Sequence, residues 1–159
     1  MANALHTVEA TGLGRFMREA LWAYPLTEAT HIAGLALLFG SIVVVDLRLL
    51  GLGRRIPVDA LAALAVPWSL TGFVVAATSG LAMFTAHAAE FLVQPVFMVK
   101  MGLILAAGVN AALLHVGPLR RLAQDGPGAE PPPRVRAAAA LSILLWLGVI
   151  TCGRLLAYL

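Results

Sequence analysis

Charge is scarce in this chain. Asp, Glu, Lys and Arg make up 12% of its 159 residues, against about a quarter in an average soluble domain. With 60% apolar residues and a mean hydropathy of +0.90, the apolar side chains exceed what one small core can hide. A water-soluble globule is excluded on that ground. Aromatics are also few, at 7%, which argues against a stacking surface for nucleic acid, and no nucleic-acid partner is expected. The single cysteine, Cys152, excludes an internal disulfide and a thiol-based zinc site. Ser41, Ser69, Ser79 and Ser142 show no Ser–His–Asp arrangement, and there is no P-loop or dinucleotide fingerprint.

What the chain does have is four long apolar runs, at about 26–50, 67–88, 95–116 and 135–159. Each reaches the roughly 20 residues that a helix needs to cross a bilayer at 1.5 Å rise per residue. Pro25, Pro67 and Pro95 fall at their starts, where a missing N–H costs least. The stretch 117–134 (GPLRRLAQDGPGAEPPPR) has no apolar period and reads as a flexible loop. The expected fold is therefore all-α: one integral membrane domain over 1–159, an antiparallel four-helix bundle.

An amphipathic helix is expected before the first span, over 8–23. Leu13, Phe16, Ala20, Leu21 and Tyr24 recur at helical spacing, with Arg15, Arg18 and Glu19 on other faces and Trp22 near the headgroups. It reads as an interfacial anchor, or as a lid over a site on the same side. Orientation follows from the cations. Arg48, Arg54, Arg55, Arg120, Arg121, Arg134 and Arg136 lie at the first and third connectors and their helix ends, against Arg15, Arg18, Lys100 and Arg154 on the other side. The positive-inside rule then places both termini on the periplasmic side of a bacterial inner membrane. No cationic n-region precedes a short apolar stretch, so no cleaved signal peptide is expected.

Ionisable groups inside a span are costly, and each is a functional candidate. They are Glu28 and His31 in the first span, His87 at the end of the second, Lys100 in the third, His115 near the third's far end, and Arg154 in the fourth. The first two spans run in opposite directions, so His31 and His87 return to one side of the membrane. A porphyrin held between helices needs axial His or Met ligands from different helices and small residues beside it. Gly34 and Ser41 share a stripe with His31; Gly72, Ala76, Ser79, Gly80 and Met83 lead to His87. The same small residues also serve ordinary close packing of membrane helices. Lys100 suits a heme propionate or snorkelling to the headgroups, and Glu28 suits a second-shell bond to an imidazole or contact with water. His115 reads as an interfacial histidine or as one ligand of a second heme. Asp46 and Arg48 read as a polar structural cluster that ends the first helix. Copper bound by His31, His87 and Glu28 with Met83 or Met98 is the alternative to heme.

The first span, YPLTEATHIAGLALLFGSIVVVDLRLLG, and the segment TSGLAMFTAHAAEFLVQPVFMVKMGLILAAGVNAALLH resemble a group of small bacterial membrane proteins. That group includes the membrane domain of the copper-resistance protein D family and the heme-containing protoporphyrinogen IX oxidases. The resemblance covers about residues 24–122. It implies that His31 corresponds to a first-helix histidine and Lys100 to a third-helix lysine, with Met98 standing where the oxidases carry the His of an H-x-K pattern. Met98 is thereby a rival to His87 as second axial ligand. The function expected is binding of heme b (one, or two with His115) near the periplasmic face and one-electron transfer. The electron would pass to or from a quinone or redox partner protein, and the chain is open to homo-oligomerisation. A porphyrinogen oxidase-like heme enzyme and a copper-handling protein without heme are the other readings.

Overall fold

The computed structural model describes residues 9–126 and 128–158, so residue 8 of the expected interfacial helix and residue 159 of the last span lie outside it. The described residues are helical and contain no strand. A short helix, α1 (Gly12–Glu19), precedes two long ones, α2 (Ala23–Leu49) and α3 (Val58–Ala86). A short α4 (Ala88–Val93) then leads into α5 (Pro95–Val116), α6 (Pro118–Gln124) and α7 (Pro133–Leu155). The helices α2, α3, α5 and α7 are each long and apolar enough to cross a membrane. Their outward faces carry exposed Leu64, Leu105, Leu113 and Leu144, a surface that suits lipid and not water. The protein is a multi-pass membrane protein built as a four-helix bundle.

Two helix pairs make the bundle. The pair α2–α3 packs backbone to backbone. A Cβ added at Gly72 would come within 2.5 Å of the Leu38 amide nitrogen, and one at Gly34 within 2.8 Å of that of Ala76. Only glycine permits that approach, and without a hydrophobic drive between helices in lipid, close van der Waals contact is what holds them. The pair α5–α7 is joined by Leu103 against Gly148 and by the Asn110 amide, which donates to the Ala138 carbonyl at 3.0 Å. The pairs meet through α2 against α7, around Leu38, Ala107, Trp146 and Val149.

The bundle has a His87 end and an Arg48 end. At the Arg48 end Leu49, Val58, Leu114, Leu119, Leu122, Val135 and Ala139 form a second apolar cluster. Gly51, at φ +103°, turns the chain out of α2, and buried Arg48 clamps the connector by donating to the carbonyls of Ile56 and Arg54. The expected polar cluster of Asp46 and Arg48 divides: Arg48 serves the connector, whereas Asp46 faces Ser142 on α7.

Several boundaries differ from expectation. The second span starts at Val58, with Pro67 inside it, because the apolar, alanine-rich DALAALAV continues the helix below the bilayer-length segment. The segment 117–134 is not a free loop. Leu119 and Leu122, three apart on α6, are buried in the core cluster, and the Gly128 amide donates to the Arg54 carbonyl. At the other end α1 buries Gly14 and Met17 against the protein and exposes Leu13 and Phe16, as an interfacial helix does. It sits on the end of α3, where Arg18 donates to the Ala86 carbonyl.

Candidate functional site

His31 lies two turns into α2 and turns toward α3. Its Nδ1 is 2.8 Å from the Ala76 carbonyl oxygen and 3.1 Å from the Ser79 hydroxyl. A carbonyl only accepts, so the Nδ1–H is donated to it, and Nε2 keeps its lone pair. The ring lies over Gly80, where an added Cβ would meet its Cε1 at 3.1 Å. Gly80 is thus small for the imidazole, while Gly34 and Gly72 are small for the helix contact. Of the glycines in the expected stripes, the structure gives only Gly80 to the site.

Lys100 on α5 joins this level of the bundle. Its Nζ stands 3.5 Å from where a Cβ on Gly153 of α7 would be, and its charge acts on His31 and Cys152. Among the described residues its ammonium is given no hydrogen-bonding or ion-pair partner. Glu28, one turn before His31, is exposed and within electrostatic reach of the imidazole. His31, Ser79 and Gly80 form a site that presents one unprotonated imidazole nitrogen, with the Lys100 ammonium within electrostatic reach of it.

The other candidates stand apart from it. His87 ends α3, and its ring is edge-on to Tyr24 at 6.0 Å and to Phe91 at 6.3 Å. Its Nδ1 is 3.3 Å from a Glu90 carboxylate oxygen. Tyr24 precedes His31 by seven residues, and Ala86 follows Ser79 by seven. Each interval is about 10 Å of helix axis. The expectation that His31 and His87 meet at one level is therefore corrected, and the cause is register. The glycine contacts fix α2 on α3 so that His31 faces Ala76–Gly80, leaving His87 at the rim. The expected gap between these two helices is also closed by their backbone contact. Met98 is 60% exposed on α5, and Met83 is half-buried on α3. His115 lies at the Arg48 end, its Nδ1 2.8 Å from the Ala111 carbonyl oxygen.

Sequence reasoning missed two features. Ser79 was grouped with the small residues, though its hydroxyl supports His31; the A-x-x-S-G spacing on a neighbouring helix was the available signal. Asp46 was assigned to the helix end, yet it is 3% exposed and its Oδ2 has no hydrogen-bond partner. Among the described residues no three His, Cys, Asp or Glu side chains converge as a metal cluster would.

These features define a four-span membrane protein with a hydrogen-bonded histidine and, among the described residues, an unpaired lysine in its transmembrane region. Residues 13–159 match the family of unknown function DUF6644, and the chain belongs to it. No curated protein and no solved structure matches the chain.

Proposed function

We propose that this is a heme b-binding protein of the bacterial inner membrane that transfers electrons one at a time near the periplasmic face, with both termini on that side. The observation that carries the reading is the state of His31. An Nδ1–H donated to a backbone carbonyl and an open Nε2 are what an axial imidazole needs, since the outer bond fixes ring orientation and raises ligand basicity. Gly80 leaves the ring room, and the Lys100 ammonium offers a propionate the counter-charge that offsets its burial. His31 would supply one protein ligand and Lys100 the counter-charge; His87, at the rim beside Tyr24, does not reach His31 as a second. The heme, when bound, supplies a one-electron couple tuned by its axial ligation and burial. His31 would orient it, Lys100 would hold its acidic edge, and the apolar helices would keep water away.

One observation favours a second reading. His31 is the imidazole at this level, and a heme held by one protein ligand would suit a porphyrinogen oxidase-like enzyme in which Lys100 binds substrate carboxylates. Copper held without heme has less support, because His87 stands away from His31. A second heme on His115 has none beyond the histidine itself. A quinone or a redox protein is the electron partner in the first reading, and the apolar outer faces leave homo-oligomers possible.

The test is a spectrum of the full chain purified in detergent from heme-replete cells. A Soret band and a sharp reduced α-band are expected, lost in His31→Ala and kept in His87→Ala and Met98→Ala. A colourless wild type, or an unchanged spectrum in His31→Ala, overturns the proposal. Rescue of a strain lacking porphyrinogen oxidase would select the enzyme reading over plain electron transfer.

A further inference from the structure

A cavity of about 420 Å³ opens in the other half of the bundle, between the α2–α3 pair and the α5–α7 pair. Its walls are Leu38, Ile42, Phe73, Ile104 and Trp146, an apolar lining of the size and character that holds small organic ligands. Five polar side chains interrupt it: Ser41 and Asp46 from α2, Ser69 from α3, His115 from α5 and Ser142 from α7; Ser69 donates to the Val66 carbonyl and Ser142 bonds Asp46. Asp46 is 3% exposed and its Oδ2 is without a partner. An orphaned carboxylate oxygen in a membrane interior is costly unless something donates to it, and rotation about its terminal torsion turns either oxygen to the cavity. His115 gives its Nδ1–H to the Ala111 carbonyl, so its Nε2 is a second acceptor.

Asp46 Oδ2 and His115 Nε2 are acceptors left over in this largely apolar lining, and they suit a molecule that is apolar overall and carries two hydroxyl donors. We infer that this cavity binds a membrane-dissolved dihydroxyarene of the hydroquinone class, its hydroxyls donated to Asp46 and His115. A lipid acyl chain would fill the space and leave Asp46 unsatisfied, and the carbonyls of an oxidised quinone, which cannot donate, would leave its Oδ2 equally without a partner. Residues of both α3 and α5 line the cavity. Asp46 lies fifteen residues beyond His31 on α2, about 22 Å along the helix, so this site does not depend on heme at His31.

Trp146 lines the cavity, which makes binding visible. The full chain in quinone-free nanodiscs, with Trp22 and Trp68 replaced by Phe, is titrated with trimethylhydroquinone and with its dimethyl ether while Trp146 fluorescence is followed. A saturable change is expected for the hydroquinone, with binding about tenfold weaker for the ether, which lacks both donors, and for Asp46→Leu. Gly108→Leu should abolish the change by filling the chamber, since an added Cβ at Gly108 meets nothing within 4 Å and leaves the backbone in place. Should Asp46→Leu fail to fold, the ether and Gly108→Leu still decide. Equal binding of ether and hydroquinone, an unsaturable change, or a titration unmoved by Gly108→Leu overturns the inference. The same titration of His31→Ala separates this result from the heme reading, because it should be unchanged there whatever the heme spectrum does.

Discussion

Glycines do three different jobs in these spans, and the side chain each one faces tells them apart. At Gly72 the neighbour is the Leu38 backbone, which cannot move aside, so Gly72→Ala should destabilise the protein by about 1–3 kcal/mol in reversible unfolding from mixed micelles. At Gly108 nothing lies nearby, and Gly108→Ala should be neutral or stabilising by up to about 1 kcal/mol, the helix propensity difference. At Gly80 the neighbour is the His31 ring. Gly80→Val should displace the imidazole and weaken the heme spectrum while the melting temperature changes little; a spectrum identical to wild type would count against the ring's role. Which of Gly72 and Gly80 did which job was not legible in the sequence, because both sit in one small-residue stripe. His31 and Lys100 were legible, because ionisable residues are rare enough in a span to announce themselves. The His31–His87 pairing failed on register, a quantity set by the contacts of Gly34 and Gly72 across two helices and written in neither one alone.

The element with the weakest hold on the bundle is α1. Its buried face is little more than Gly14 and Met17, and Arg18 supplies the polar attachment by donating to Ala86 and Glu9 carbonyls. A cation there also opposes the negative end of α3. Arg18→Ala should raise amide exchange over residues 12–19 about tenfold without altering exchange in α2 or α3. Uniform faster exchange along the chain would mean that Arg18 supports the whole bundle instead. The four long helices were legible from run length, as the bilayer's thickness leaves little choice. The start of α3 was not, since a proline is tolerated inside a long membrane helix, and Pro67 lies inside α3. The α6 segment was hidden by its flanking prolines and glycines, which outweighed the two leucines that anchor it.

Across the whole molecule, polar groups divide between two ends of an otherwise apolar body, with His31 and Lys100 toward one and Asp46 and His115 toward the other. The topology proposed above, with the arginine-rich Arg48 end in the cytoplasm, is testable. In a Cys152→Ser background, a cysteine at Gly128 should resist a membrane-impermeant maleimide in intact cells and one at Glu90 should react; the reverse pattern would invert the topology. The claim on which the functional account turns is that a single imidazole, oriented by the Ala76 carbonyl, binds the iron. It is tested most directly by purifying His31→Gly, which leaves a ring-sized space over Gly80, and recording its spectrum with and without added imidazole. The account predicts a heme-deficient protein whose Soret and reduced α-bands return, saturably, when imidazole and hemin are supplied. Bands already present without imidazole, or never restored by it, would contradict it.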